Sequence, residues 1–245
     1  MIPIQEAKSI IQGELYQLGS EIVQLNDAGN RILAQDIVAT FPSPQFDNSA
    51  MDGFAVRAAD TNGTSKGNPG TLKMVSVISA GSPSDITLKI GECAQCMTGA
   101  KIPNGADAIV MVEDSSGFSD LESVQIFLEA TSGKHIRKKG EEIKEGEVLI
   151  SKGTCITPSE IGTCATFGYG KVSVAKKPKI AIFGTGDELI EPGNELKPGE
   201  IYNSNLYVFA ELAEWVGAEV IMRNVIKDDR DALHSFLSEA LETCD

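Results

Sequence analysis

The sequence predicts a mixed α/β protein in which an all-β region is followed by an α/β region. Three observations carry that reading. From residue 36 to about residue 133, short β-branched and aromatic runs alternate with clusters of Gly, Pro, Asn and Ser. A helix start with a full set of capping residues stands at Thr157-Pro158-Ser159-Glu160. From Lys179 onward, a strand-like run followed by a helical stripe occurs twice.

The chain opens on an amphipathic helix, because Ile4, Ala7, Ile10, Ile11 and Leu15 recur at helical spacing. Arg31-Ile32-Leu33-Ala34 leads to an extended stretch at residues 36–38. Residues 54–56, 72–78, 109–112 and 124–127 read as strands of the β region, with residues 60–70 a polar loop. Past the capped helix, residues 172–174 form a strand and residues 179–183 a strand of buried type. Phe209, Leu212, Ala213 and Val216 give a helical stripe closed by Gly217. Residues 219–225 form the next strand, and Asp228 caps a helix carrying Ala232, Leu233, Phe236, Leu237, Ala240 and Leu241. Two β-α units leave the faces and edges of a parallel sheet uncovered. The α/β region is therefore expected to be incomplete, with its next strand beyond Asp245.

The formal net charge is −14, from 35 acidic and 21 basic residues, which argues against broad nucleic-acid binding. An anionic substrate would need backbone N–H groups, a local basic patch or a divalent cation. No apolar run approaches the ~20 residues that span a bilayer. The first residues lack a basic segment followed by an apolar one, so no secretory signal is read. Five scattered cysteines fit reduced thiols, and the expected location is cytoplasmic with no membrane contact.

The most informative stretch is Phe46-Asp47-Asn48-Ser49-Ala50-Met51-Asp52-Gly53-Phe54-Ala55-Val56-Arg57, which packs two carboxylates, an amide and a hydroxyl just before a strand. By local chemistry alone it is better explained by turn hydrogen bonds. Further on stand Met97-Thr98-Gly99-Ala100 with Pro103-Asn104-Gly105-Ala106-Asp107-Ala108-Ile109-Val110, then Ile136-Arg137-Lys138-Lys139-Gly140-Glu141-Glu142-Ile143. Gly184-Thr185-Gly186-Asp187-Glu188-Leu189 and Pro198-Gly199-Glu200-Ile201-Tyr202-Asn203-Ser204-Asn205 complete the set. In this order the stretches closely resemble the signatures of the MoeA/gephyrin molybdenum insertases. The chain departs from that pattern at Glu142, where Asp is common, and at Asn203, where Asp is usual.

The resemblance implies an elongated multidomain chain. Residues 1–40 with 137–176 would form a helical stem for dimerisation, and residues 41–136 an inserted small all-β subdomain. Residues 177–245 would form the first part of a molybdopterin-binding α/β domain, and a C-terminal β-barrel would be absent. It implies a homodimeric, Mg²⁺-dependent molybdopterin molybdenumtransferase that inserts molybdate into adenylylated molybdopterin and releases AMP. The pathway's adenylyltransferase is a further expected partner. The alternative reading is a non-catalytic dimeric scaffold of the gephyrin type. Under the enzyme reading, the resemblance makes Asp52, Thr98, Glu188 and Asp228 the catalytic candidates. Asp52 would position the molybdate-bearing substrate or a metal-bound water, Thr98 would offer its hydroxyl to an oxyanion, and both would face the cleft of the partner subunit.

Beside that stands the chemistry of the residues themselves. Glu188 follows a strand of a parallel pair at its C-terminal end, where open α/β sheets bind ligands. Asp228 and Asp229 follow the next strand in the same way, one of them serving as an N-cap. Oxygen ligands suit Mg²⁺, for which Glu188 and Asp228 are the candidates. The resemblance makes Gly184, Thr185, Gly186 and Asp187 the loop that would hold the pterin nucleotide, with Asp187 shaping its turn. Ser204 and Asn205 begin a helix whose N–H groups suit an anion. Asn203 is weak as a metal ligand, because an amide cannot replace a carboxylate at full strength. Cys93 and Cys96 have zinc-type spacing but lack a second pair. The basic run at residues 134–139 reads as a solvated face. Gly184-Thr185-Gly186 lacks the third glycine of a dinucleotide fingerprint. The 245 residues alone are expected to dimerise without turnover.

Overall fold

The computed structural model describes residues 2–82, 85–119 and 122–245. The chain forms two compact units, Met1–Ile37 with Leu149–Asp245, and Val38–Val148. It is a mixed α/β protein with more strands than helices.

In chain order, α1 (Ile4–Glu14) forms where the apolar spacing places it, yet none of its residues is buried. β1 (Ser20–Gln24) follows, and β2 (Ile37–Val38) carries the chain into the second unit. That unit holds β3 (Asn48–Ser49), β4 (Gly53–Val56), β5 (Ser65–Ile78), β6 (Glu92–Cys96), β7 (Ala108–Met111), β8 (Ser123–Leu128) and β9 (Ile136–Arg137). Five of them make one sheet in the order β7-β4-β6-β5-β8. All four residues of β4 are buried, because both faces of the sheet are covered. Phe54 and Val56 pack with Leu72, Cys93, Val124 and Ile126, while Ala55 packs with Ile78, Leu88, Cys96 and Ile109 on the opposite face.

The polar stretch at residues 60–70 is not a single loop. Its second half is the exposed leading part of β5, paired with β8 at Ser65↔Leu128 and, past a register irregularity, at Gly70↔Ile126. Gly, Asn and Pro carry low strand propensity, so pattern reading passes over a segment that its neighbour β8 holds in place.

β10 (Val148–Ile150) returns the chain to the first unit, followed by α2 (Pro158–Thr166) and β11 (Lys171–Ala175). The capping box forms as the residues predict, with Thr157 and Glu160 each accepting from the other's end of the turn. β1 and β11 pair antiparallel over a core of Leu33, Ile37, Ile156, Cys164, Val172 and Val174.

The α/β region contains β12 (Lys179–Thr185), β13 (Leu189–Ile190), β14 (Ile201–Tyr202), α3 (Asn205–Trp215), β15 (Glu219–Ile226) and α4 (Arg230–Thr243). β12 and β15 run parallel, with Thr185 opposite Ile226 at their carboxyl ends. β12 is only half-buried rather than a fully buried strand. α3 ends as expected, with Gly217 in the left-handed region at φ 98°. Its buried face, however, is Leu206 and Ala210, while Phe209, Leu212 and Val216 are exposed. The small alanine permits close approach to the sheet, so the face with the largest side chains is not the one that packs. α4 buries Phe236 and Ala240, with the Phe236 ring 5.0 Å from that of Phe183. Its N-cap is Asp229 and not Asp228: Asp229 Oδ1 accepts from Ala232 N at 2.8 Å.

Candidate functional site

In the β unit, the first three signature stretches converge. Gly99 N donates to Ser49 O at 2.8 Å, Ser49 N to Ala100 O at 3.0 Å and Ile102 N to Asp47 O at 3.0 Å, lacing the second stretch to the first. β3 pairs with β9, Asn48 opposite Arg137, which brings in the third. Ala50 N also donates to His135 O at 2.9 Å. Asp47 locks this junction: its carboxylate accepts from Lys138 Nζ at 2.8 Å and from Lys139 N at 2.9 Å. The Lys138 ammonium, then the Lys139 N–H, hold the Asp47 carboxyl below the usual carboxylate range. The basic run is therefore partly a clamp and not only a solvated face. Its signal was present in the sequence, as opposite charges inside two of the signatures.

Asp52 sits at the tip of this junction, exposed, with Thr98 beside it. Its Oδ1 accepts from Thr98 N at 2.7 Å and from Thr98 Oγ1 at 2.8 Å. Those two donors, the backbone one first, lower the Asp52 pKa. With its proton directed at Asp52, the Thr98 hydroxyl has only lone pairs left to offer, whereas the role expected of it was to donate to an oxyanion. Gly53 is required next to Asp52, because a Cβ there would stand 2.0 Å from the Val110 carbonyl oxygen.

In the α/β region, Glu188 and Asp228 follow the carboxyl ends of adjacent parallel strands, and Gly186 N donates to Ile226 O at 3.3 Å. Gly186 holds φ 148°, a conformation that favours glycine, and the Glu188 carboxylate folds over it. A Cβ at Gly186 would meet Glu188 Oε2 at 2.6 Å. Both carboxylates are exposed and neither engages a hydrogen bond or ion pair among the described residues. Free carboxylates at one sheet edge fit Mg²⁺ bound in the open manner, with two protein carboxylates, waters and substrate phosphates. No group of three or more His, Cys, Asp or Glu could hold a metal among the described residues, so a closed all-protein cage is not what they offer.

Gly184 and Thr185 end β12, and Leu189 N donates to Gly186 O at 3.3 Å, closing the turn through exposed Asp187. Ser204 and Asn205 open α3, as expected, but the side chain that caps it is Asn203. Asn203 is 2% exposed, and its Oδ1 accepts from Leu206 N at 3.3 Å. Asn203 Nδ2 and Asn48 Oδ1 are buried without a partner among the described residues. Such a group costs about 1–3 kcal/mol. Composition and spacing carry no signal for either. Glu142 accepts from Ser43 Oγ at 3.0 Å.

Cys93 and Cys96 point to opposite faces of β6 and lie in separate cores. Burial pushes their thiols up to about 12 and about 11, the reverse of what a metal-ligating pair needs. His135 has φ 57° and contributes its carbonyl, while His234 lies beside Ser238.

Residues 2–168 match the family model of the MoeA N-terminal region, domains I and II. The chain belongs to the MoeA family. Residues 181–245 match a second model, described as a probable molybdopterin binding domain. A molybdopterin molybdenumtransferase of Staphylococcus aureus is 40% identical over 244 residues, covering 100% of this chain and 58% of its own length. One from Staphylococcus epidermidis is 38% identical over 247 residues, with the same coverage. The solved molybdopterin biosynthesis MoeA protein of Pyrococcus horikoshii OT3 superposes with a TM-score of 0.89 at 34% identity, over 100% of this chain and 65% of that one. The chain thus spans somewhat over half the length of its curated relatives. Among the described residues, no helix is long and apolar enough to cross a membrane.

Proposed function

We propose that this chain is the front part of a molybdopterin molybdenumtransferase, which inserts molybdate into adenylylated molybdopterin and releases AMP. The observation that carries the reading is the pair of free carboxylates, Glu188 and Asp228, at the carboxyl ends of β12 and β15, beside the start of α3. Glu188 and Asp228 would hold Mg²⁺, which when bound neutralises the pyrophosphate and the charge that develops on departing AMP. The 184–187 loop cradles the nucleotide, with Gly186 giving the Glu188 carboxylate room to fold back over the turn. The first N–H groups of α3 face its phosphate oxygens. Asp52 and Thr98 present only acceptor oxygens. They would orient a metal-bound or attacking water, and not stabilise an oxyanion.

The same reading makes the protein a homodimer. The apolar face of α1, with Ile4, Ile10 and Ile11 exposed, supports this, because no described residue of its own chain covers it. Sedimentation that finds only monomers at every concentration rejects the dimer.

The decisive experiment supplies full-length protein, molybdate and adenylylated molybdopterin to an apo-molybdoenzyme and follows recovered activity. Glu188→Ala is expected to abolish most of the recovery while leaving the fold intact. Equal recovery with both proteins overturns the assignment.

A further inference from the structure

Two helices of the first unit carry apolar surface that their own chain leaves uncovered. On α1, Ile4, Ile11 and Leu15 recur at helical spacing along one side, and Ile4 is 77% exposed. On α3, Leu206 and Ala210 face the sheet, while Val208, Phe209, Leu212, Trp215 and Val216 lie on the opposite side. All five are exposed, Trp215 to 84%. A helix that is apolar on both sides belongs between two layers, and the sheet supplies only one. The outer side is also shaped: Tyr207, Val208, Glu211, Leu212 and Trp215 line an open groove of about 510 Å³. Arg223 stacks on the Tyr207 ring at 4.5 Å, and the Tyr207 hydroxyl donates to Glu191 Oε2 at 2.7 Å. That wall of the groove is fixed before anything enters.

We infer that the α3 groove is the docking surface for α1 of a second copy of this chain, the two contacts being exchanged reciprocally across a two-fold axis. The inference deepens the homodimer of the proposed function and rests on it. Charge selects the occupant. α3 carries Glu211 and Glu214 and no basic residue, so groove against groove would set like charges against each other. α1 instead carries Lys8, one turn from Ile4 and from Ile11, on the flank of its apolar side, where it suits Glu211. Glu6 lies on the far side of α1, and Glu14 at its end. Shape agrees: both helices have 11 residues, and the aliphatic ridge of α1 suits a groove with aromatic walls. Phe209 and Trp215 give two anchors per contact, an aromatic side chain burying about 150–250 Å² when covered. With a similar area lost from α1, two symmetric contacts reach roughly the 1,200–2,000 Å² of a specific interface.

The test cross-links the full-length protein with a bismaleimide that spans about 8–10 Å, the separation of packed helices. Exposed Cys155 is first removed as Cys155→Ser. Three variants are then compared: Ile11→Cys, Leu212→Cys, and both in one chain. Peptide mass mapping is expected to find position 11 joined to position 212 at dimer mass, in the double variant alone. Dimers linked 212 to 212 would mean α3 against α3, and dimers linked 11 to 11 would mean α1 against α1. An 11–212 link at monomer mass would mean α1 folding onto its own α3, and no link at all that another segment fills the groove. Each of these four results overturns the proposal. Ile11→Asp, a change at an exposed position, is expected to raise the dimer dissociation constant about 100-fold in sedimentation. An unchanged constant overturns the proposal as well. The two failures are separable: monomers at every concentration reject the homodimer itself, whereas dimers without the 11–212 link reject only this surface.

Discussion

The acidic residues of the β unit and those of the α/β strand ends have been put to opposite uses. In the β unit every carboxylate of the first signature has a partner. Asp47 holds Lys138 and Lys139, and Asp52 holds both donors of Thr98. At the ends of β12 and β15, Glu188 and Asp228 hold nothing among the described residues. A bonded carboxylate rigidifies its loop before any ligand arrives, whereas a free one keeps its full charge for a cation. The family signatures therefore mix two kinds of acid, and only the structure separates them.

The contrast can be broken most forcefully at Gly53. Gly53→Ala is expected to destabilise the β unit by about 3 kcal/mol, because the new methyl collides with the backbone carbonyl of Val110. Hydrogen exchange should show β4 opening while α4 keeps its protection. Equal loss in both units would mean that they unfold as one.

Next comes Glu188→Ala, which should lower cofactor formation by the full-length protein on the order of 10²-fold without changing its unfolding midpoint. A shift of that midpoint would show that Glu188 supports the fold in the way that Asp52 does.

A finer comparison sets two neighbours against each other. Asp229→Ala should cost about 1 kcal/mol through loss of the α4 cap, while Asp228→Ala should cost no stability and impair activity instead. Urea titration of both variants distinguishes the roles, and reversed costs would exchange them.

The smallest effect concerns pH. Asp52 is depressed below its ordinary value of 3.8 by its hydrogen bonds to Thr98. The stabilisation is thus fully present above the unfolded-state value and is lost as pH falls through the lower folded value. Carbon NMR should show Asp52 titrating below a model peptide. A normal value would show the Thr98 bonds to be transient.

Much of this was legible beforehand where a residue's local chemistry decides its structure. The Thr157–Glu160 capping box and the Gly217 stop follow from side chains acting on their own backbone, and the parallel β12–β15 pair from the strand–helix–strand order. What escaped depends on distant partners. Residues 65–70 become strand only because β8 is there to pair with them. The buried face of α3 goes to Leu206 and Ala210 because the sheet selects the side that fits closest, not the side with the largest groups. The candidate site residues were read from motif order, yet the bonds they make were not. That Thr98 donates inward and that Asp229 rather than Asp228 caps α4 are facts of orientation, which spacing does not encode.

Cys93 and Cys96 stay almost wholly protonated at neutral pH within opposite faces of one sheet, so both are shielded from alkylating reagents while that sheet holds. Cys155 is exposed. The chain thus carries its own unfolding clock: rapid uptake of label at Cys155, then slow uptake at the paired strand thiols, timed by how often the β unit opens.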